Sequence, residues 1–328
     1  MSALNLAGIF YPRFTEDVQL YTDVDKSCIQ GTVERLLSVQ TSAARPGMLL
    51  GRIQSGKTKT FLAIIALAFD NGFDIAVILT KGTKALTRQT VERVRREFAP
   101  FYEQDQLQIF DIMTVPTGLT GYELSQKLIF VSKKQSDNMD RLARLFQETY
   151  PQHTGKRVLI VDDEADYASI GFRNTRQQGP IINTTAQQID DLRQILSASA
   201  FLQVTATPYS LYLQPADFIV NGMEFKPVRP AFTELVAIKP NYIGSDYYFD
   251  QSQEHNTIAS FIYHFVTLSE LDTIRKEDRR RFRLEECLTS PAIASLRKAI
   301  CNFIVGGCMG ISTGSGTRPS GTRPQSVR

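Results

Sequence analysis

The chain has 328 residues, 42% hydrophobic and 22% charged, the balance of an ordinary globular protein with room for two domains or for one domain and a fragment. Its 37 basic residues against 34 acidic give a net charge of +3, so no overall field announces a nucleic-acid partner, and a basic track would be confined to one face. No apolar run reaches the ~18 residues of a membrane span, the N-terminus lacks the regions of a signal peptide, and Cys28, Cys287, Cys301 and Cys308 form no C-x-x-C pair, which argues against a membrane partner, a zinc site and a disulfide scaffold.

Residues 1–45 read as an N-terminal lead. It contains an amphipathic helix over 29–39, with Ile29, Val33, Leu36 and Leu37 on one face. Strand–helix alternation then fills residues 46–225. Strands are expected at 48–50, 74–79, 107–113, 127–131, 158–161 and 201–205, and helices at 57–71, 83–98, 137–150 and 186–198. Such alternation implies right-handed crossovers and a mainly parallel sheet, hence an α/β fold. Past residue 215 the pattern is lost. Residues 226–250 carry Pro227, Pro230 and Pro240 among aromatics, 268–284 is a charged connector, and 291–305 reads as a helix with Ile293, Leu296, Ile300 and Ile304 aligned. Cys301 and Cys308, seven apart, are expected on its buried face. Residues 309–328 repeat Gly-Thr-Arg-Pro at 316–319 and 321–324, a composition that cannot build a core and is expected to be disordered.

The chemistry concentrates in short motifs at strand ends. Gly51-Arg-Ile-Gln-Ser-Gly-Lys-Thr58 fits the phosphate-binding pattern G-x-x-x-x-G-K-[ST], after an apolar strand and before a helix. Gly51 and Gly56 let the backbone curl so that the N–H groups of the loop, Gln54 and Ser55 included, point inward at phosphate oxygens. Lys57 supplies a cation for the outer phosphates and Thr58 a hydroxyl for Mg²⁺. The second motif follows Val158-Leu-Ile-Val161, an aliphatic run fit for a strand buried on both faces, and reads Asp162-Asp163-Glu164-Ala165-Asp166. Alone it would pass for a solvated acidic turn. With the first motif, Asp163 completes the Mg²⁺ site and Glu164 can deprotonate an attacking water. Their separation of 106 positions (163 − 57) leaves room for two or three strand–helix units. The third is Thr205-Ala206-Thr207-Pro208, a strand end weak by itself.

In this order, GRIQSGKT, DEAD and TATP resemble motifs I, II and III of superfamily 2 helicases and translocases over about residues 30–215, and especially the DEAD/DEAH-like motor of type III restriction endonuclease subunits. The resemblance implies a P-loop RecA-like domain at 46–225 and a DNA-directed, Mg-ATP-hydrolysing motor. It also implies that Asp166, Thr205 and Thr207 couple the ATP site to the nucleic-acid face. Residues 226–308 would be a connector and the start of a truncated second motor domain, since nothing in the chain resembles that domain's arginine-finger motif Q-x-x-G-R-x-x-R. Thr80-Lys81-Gly82-Thr83-Lys84 and Ser132-Lys133-Lys134-Gln135 close two strands and resemble motifs Ia and Ib by position. As phosphate ledges they would hold nucleic acid through Thr80, Lys81, Thr83, Lys84, Lys133 and Lys134; the same residues also make ordinary polar loops. Arg88, Arg93, Arg95 and Arg96 on the following helix read as a solvated face. The expected cofactors are ATP and Mg²⁺, and the expected partners are DNA and subunits of a restriction or defence system. The expected compartment is the cytoplasm. Two rivals remain: a P-loop ATPase of a defence or signalling system without nucleic-acid activity, and an inactive fragment that binds nucleotide only.

Overall fold

Short aliphatic runs joined by helices build the sheet at the centre of the protein. The computed structural model describes residues 3–80, 84–165, 172–175, 179–182, 184–207, 218–220, 223–225, 229–240, 242–254, 257, 260, 266–271, 294–295, 297–301 and 304. The elements in chain order are α1 (Tyr11–Phe14), α2 (Asp23–Ser38), β1 (Gly47–Leu50), α3 (Lys57–Asp70), β2 (Ile75–Thr80), α4 (Lys84–Glu97), α5 (Ala99–Tyr102), β3 (Leu107–Asp111), α6 (Gly121–Ser125), β4 (Lys127–Lys133), α7 (Ser136–Arg144), β5 (Arg157–Asp163), β6 (Phe172–Thr175), β7 (Gly179–Ile182), α8 (Thr184–Ile195), β8 (Ala198–Thr205), β9 (Phe218–Val220), β10 (Met223–Phe225) and β11 (Phe232–Leu235). A π-helical turn, Leu145–Thr149, extends α7, so the helix expected over 137–150 continues in altered form.

Seven strands form one sheet in the order β11-β1-β8-β5-β2-β4-β3. Every pairing in it is parallel. The fold is therefore mixed α/β with an all-parallel seven-stranded sheet, as the alternation implied. Two short antiparallel pairs, β6–β7 and β9–β10, lie outside this sheet.

The sheet is covered on both faces. Leu159 and Val161 of β5 face a core shared with α2, α3 and α4, and Val158 and Ile160 face a second core shared with α7 and α8. That two-sided burial is why β5 and β2 read as unbroken aliphatic runs rather than alternating ones. Helix α3 is buried along its length from Thr60 to Phe69, which its apolar sequence requires.

Three boundaries differ from the sequence reading. The N-terminal lead is part of this core. The Asp70 carboxylate at the end of α3 accepts hydrogen bonds from Ile9 N (2.8 Å), Phe10 N (3.1 Å) and Tyr11 N (2.7 Å), and Phe10 packs on Phe69 and Phe101. Helix α2 begins at Asp23 rather than 29, because Thr22 and Asp25 form a reciprocal capping box: Thr22 N donates to Asp25 Oδ2 at 2.9 Å and Asp25 N to Thr22 Oγ1 at 3.4 Å. At the other end, β11 pairs with β1 and carries the sheet past residue 225, so the compact unit runs Met1–Tyr242. No strand–helix periodicity announces β11, which joins as a four-residue edge strand.

Residues Ile243–Arg328 form a separate unit. Within it the Glu270 carboxylate accepts hydrogen bonds from Ser295 Oγ (2.6 Å), Ser295 N (3.0 Å) and Thr267 N (3.2 Å), which hold its pKa down to about 2. Cys301 is exposed there, a correction to the buried face expected for it. Cys308, most of the charged connector, much of the helix expected over 291–305 and the tail past 309 lie outside the described residues. Among the described residues no helix is long and apolar enough to cross a membrane.

Candidate nucleotide site

Parallel strands point their carboxyl ends to one edge, and helices that follow them begin there. Register fixes which residues meet at that edge. Leu50 of β1 is opposite Thr205 of β8, and Val204 of β8 is opposite Asp163 of β5. The three sequence motifs thus leave adjacent strands side by side, although 106 positions separate Lys57 from Asp163 (163 − 57).

The first loop is shaped by its glycines. Gly56, the N-cap of α3, has φ 93°, a left-handed conformation that strains any side chain. A Cβ on Gly51 would lie 2.6 Å from Ser55 Oγ and 2.7 Å from Lys57 Cγ, so only glycine lets the loop close on itself. Lys57 Nζ lies within the loop and donates to Arg52 O (2.8 Å) and Gly51 O (3.4 Å). Ser55 Oγ is buried without a hydrogen-bond partner among the described residues, an orphaned polar atom inside the cradle. Gln54 is exposed, with φ 59°. The loop is braced from 189 residues away: Tyr242 OH donates to Ile53 O at 2.8 Å, and the Arg52 guanidinium lies 5.6 Å from the Tyr242 ring centroid. The sequence carried no signal for Tyr242, because a single distant tyrosine has no periodicity.

The acidic loop is held from beneath. Asp162 and Lys134 form a buried ion pair at 2.8 Å, with side-chain exposures of 0% and 1%. Lys134 Nζ also donates to Asp163 O (2.8 Å) and Glu164 O (2.9 Å). One ammonium therefore fixes the backbone of the acidic motif. Asp163 follows on the opposite face of the strand, where burial first and the neighbouring Glu164 second push its pKa up to about 6. Glu164 is exposed, with φ 54°, and its N–H donates to Asp163 Oδ1 at 3.1 Å. Among the described residues only Gln54, Asp105 and Glu164 are non-glycines with positive φ, so two of those three strained positions fall in this corner.

Thr58, Thr80, Asp163 and Glu164 line one cavity of about 160 Å³, closed on the α4 side by Gln89, Thr90 and Arg93. A threonine hydroxyl and a carboxylate are donors that Mg²⁺ accepts when phosphates and water supply the rest of its shell, and the orphaned Ser55 hydroxyl and the loop cradle suit a phosphate chain. Among the described residues no cluster of three or more metal-ligating His, Cys, Asp or Glu side chains exists. The third motif supports the other two. Gly51 N donates to Thr205 O (3.1 Å), Ala165 N to Val204 O (3.1 Å) and Thr207 N to Thr205 Oγ1 (3.0 Å).

The ledges expected for nucleic acid fare differently. Lys134 is a correction: its charge is consumed by Asp162 and two carbonyls. Lys133 is 8% exposed and its Nζ lies 3.4 Å from Gln135 Oε1, so it too offers little to a polymer. Thr80 is buried, 3.5 Å from Thr87 through their hydroxyls, and faces the cavity instead. Lys81, Thr83, Asp166 and the side chain of Lys84, which opens α4, lie outside the described residues. Arg93 is exposed, as expected for the solvated face of α4, and it also borders the cavity.

A comparison with curated proteins gives no significant match. Among solved structures the chain is similar to the DUF1998 helicase MrfA bound to DNA, at 15% identity and a TM-score of 0.41, covering 68% of this chain and 29% of that one. It is also similar to the DEAD-box helicase Mss116 bound to ssRNA and UDP-BeF, at 15% identity and a TM-score of 0.37, covering 67% of this chain and 41% of that one. The family described as the type III restriction enzyme, res subunit, matches residues 25–210, more than half of the chain, from within α2 to past the end of β8, and the chain belongs to that family.

Proposed function

We infer that the Met1–Tyr242 unit is the nucleotide-hydrolysing motor domain of an ATP-dependent helicase or translocase acting on nucleic acid, with DNA as the expected track. The observation that carries this reading is the convergence of Thr58, Asp163 and Glu164 on one cavity beside the phosphate-shaped loop. Thr58 and Asp163 would hold Mg²⁺, which supplies charge neutralisation at the phosphates when bound. Lys57 would shift from its loop carbonyls to the outer phosphates. Glu164, which lines the cavity from a left-handed backbone position, would orient and deprotonate the attacking water. Lys134 and Asp162 act as positioning residues beneath that backbone.

Membership of the res-subunit family supports a restriction or defence setting with partner subunits. A second reading, an ATPase without a nucleic-acid track, gains from the inward-turned Lys134 and the buried Lys133, which remove two of the cations expected at the ledges. ATP hydrolysis measured with and without single- and double-stranded DNA separates the two. Stimulation by DNA is expected for a motor; turnover indifferent to DNA would favour the second reading.

A further inference from the structure

Helix α4 carries Arg88, Arg93, Arg95 and Arg96, and three of them are engaged. Arg88 pairs with Glu92 at 2.9 Å, Arg96 with Glu97 at 3.5 Å, and Arg95 donates to Ile109 O at 3.4 Å. Arg93 makes no hydrogen bond or ion pair among the described residues, although Glu97 lies four positions on, the spacing that would favour a pair. Its exposed side chain lines the 160 Å³ cavity with Thr58, Asp163 and Glu164, and it also borders a second cavity, of about 490 Å³, with Tyr21 and Glu97. Gln89 and Thr90, four and three positions before it, line the same cavity, so one face of α4 is turned to the site while Val91, Val94 and Phe98 anchor the other in the core.

The electrostatics point the same way. The cavity contains two carboxylates, and the nearby lysines are committed, Lys134 to the backbone beneath and Lys57 to the loop carbonyls. An arginine fork with unused donors, at the rim of a site shaped for phosphates, matches an anionic oxygen pair. We propose that Arg93 contacts the terminal phosphate of the bound nucleoside triphosphate, so that this domain reads the third phosphate with a cation from its own helix α4. The inference rests on the nucleotide reading above and adds a recognition residue to it. It also assigns a role to the α4 wall: Gln89, Thr90 and Arg93 distinguish triphosphate from diphosphate, whereas the loop at 51–58 holds the phosphates common to both.

The test is calorimetry of the full chain in Mg²⁺ with a non-hydrolysable ATP analogue and, separately, with ADP. Arg93→Ala and Arg93→Gln should weaken the triphosphate roughly 10- to 100-fold, the worth of hydrogen bonds to a charged group, and leave ADP affinity unchanged. Arg93→Lys should recover part of the loss. The glutamine variant keeps a polar side chain with good helix propensity at this position, so it carries the test should the alanine variant melt early. Equal weakening of both ligands, or no weakening of either, would overturn the role of Arg93 alone. A wild-type chain that binds neither ligand would overturn the nucleotide reading together with this inference.

Discussion

The carboxyl ends of β1, β8 and β5 and the carboxyl ends of β2 and β4 are neighbouring parts of one edge, yet they differ in how they use charge. In the first region glycine-shaped backbone, a hydroxyl and two carboxylates converge on a cavity with an orphaned hydroxyl beside it. In the second, Lys133 and Lys134 are turned inward, and one of them is spent on holding the acidic loop of the first. The difference teaches that a lysine at a strand end is not by itself a ledge. Its role depends on whether a nearby strand delivers a carboxylate below it, and Leu79 of β2, the strand between them, lies opposite both Ser132 of β4 and Asp162 of β5, bringing the two loops together.

The largest expected effect lies in the first region. Lys57→Ala should bring ATP binding below calorimetric detection, because it removes the cation facing the outer phosphates; unchanged affinity would leave the loop a structural turn. Next, Glu164→Gln should keep Mg-ATP binding but slow turnover by about 10²–10⁴-fold, the usual worth of a general base. Should this change abolish binding while Asp163→Asn spares it, the two carboxylates have exchanged roles.

The second region breaks differently. Lys134→Ala should cost stability, about 3–5 kcal/mol in urea unfolding, because Asp162 would remain buried without its partner. Replacing the pair together, Lys134→Met with Asp162→Leu, should recover much of that loss while the acidic loop loses its anchor and turnover falls. If Lys134→Ala leaves stability intact and lowers DNA affinity, the lysine is a ledge after all. Changing Lys81 and Lys84 together should weaken DNA binding and lower its salt dependence by a slope of roughly 0.7–0.9 per lost phosphate contact; an unaltered slope would mark both as solvated.

The smallest effect is one of pH. His153 is buried against Tyr150, and burial first, with Lys156 second, lowers its pKa to about 4. The unfolded chain therefore binds a proton that the folded chain refuses between pH 6.5 and about 4, so stability is full above that window and falls as pH drops through it. His153→Phe should flatten this acid limb in melting experiments; an identical limb would exclude His153 as its source.

Legibility followed the kind of signal each region carries. The parallel sheet and the three motif strands were readable because two-sided burial writes continuous aliphatic runs, as in Val158–Val161, and because the phosphate loop needs fixed residue types at fixed spacing. β11 was not readable, since four residues, Phe232–Leu235, joining as an edge strand have neither length nor alternation. Nor were Tyr242 or Arg93, whose places depend on tertiary approach: Tyr242 reaches Ile53 across 189 positions and Arg93 reaches the cavity through the rotation of α4. The capping box before α2 was legible in principle, with Asp25 in the place more often held by Glu or Gln.

The claim on which the rest depends is that Asp163 and Thr58 complete a metal–nucleotide site with the loop at 51–58. ATP affinity measured with and without Mg²⁺, in the wild-type chain and in Asp163→Asn, tests it most directly. The expected result is a gain in affinity from Mg²⁺ in the wild type that disappears in Asp163→Asn while metal-free binding persists. A full Mg²⁺-dependent gain in Asp163→Asn would contradict it.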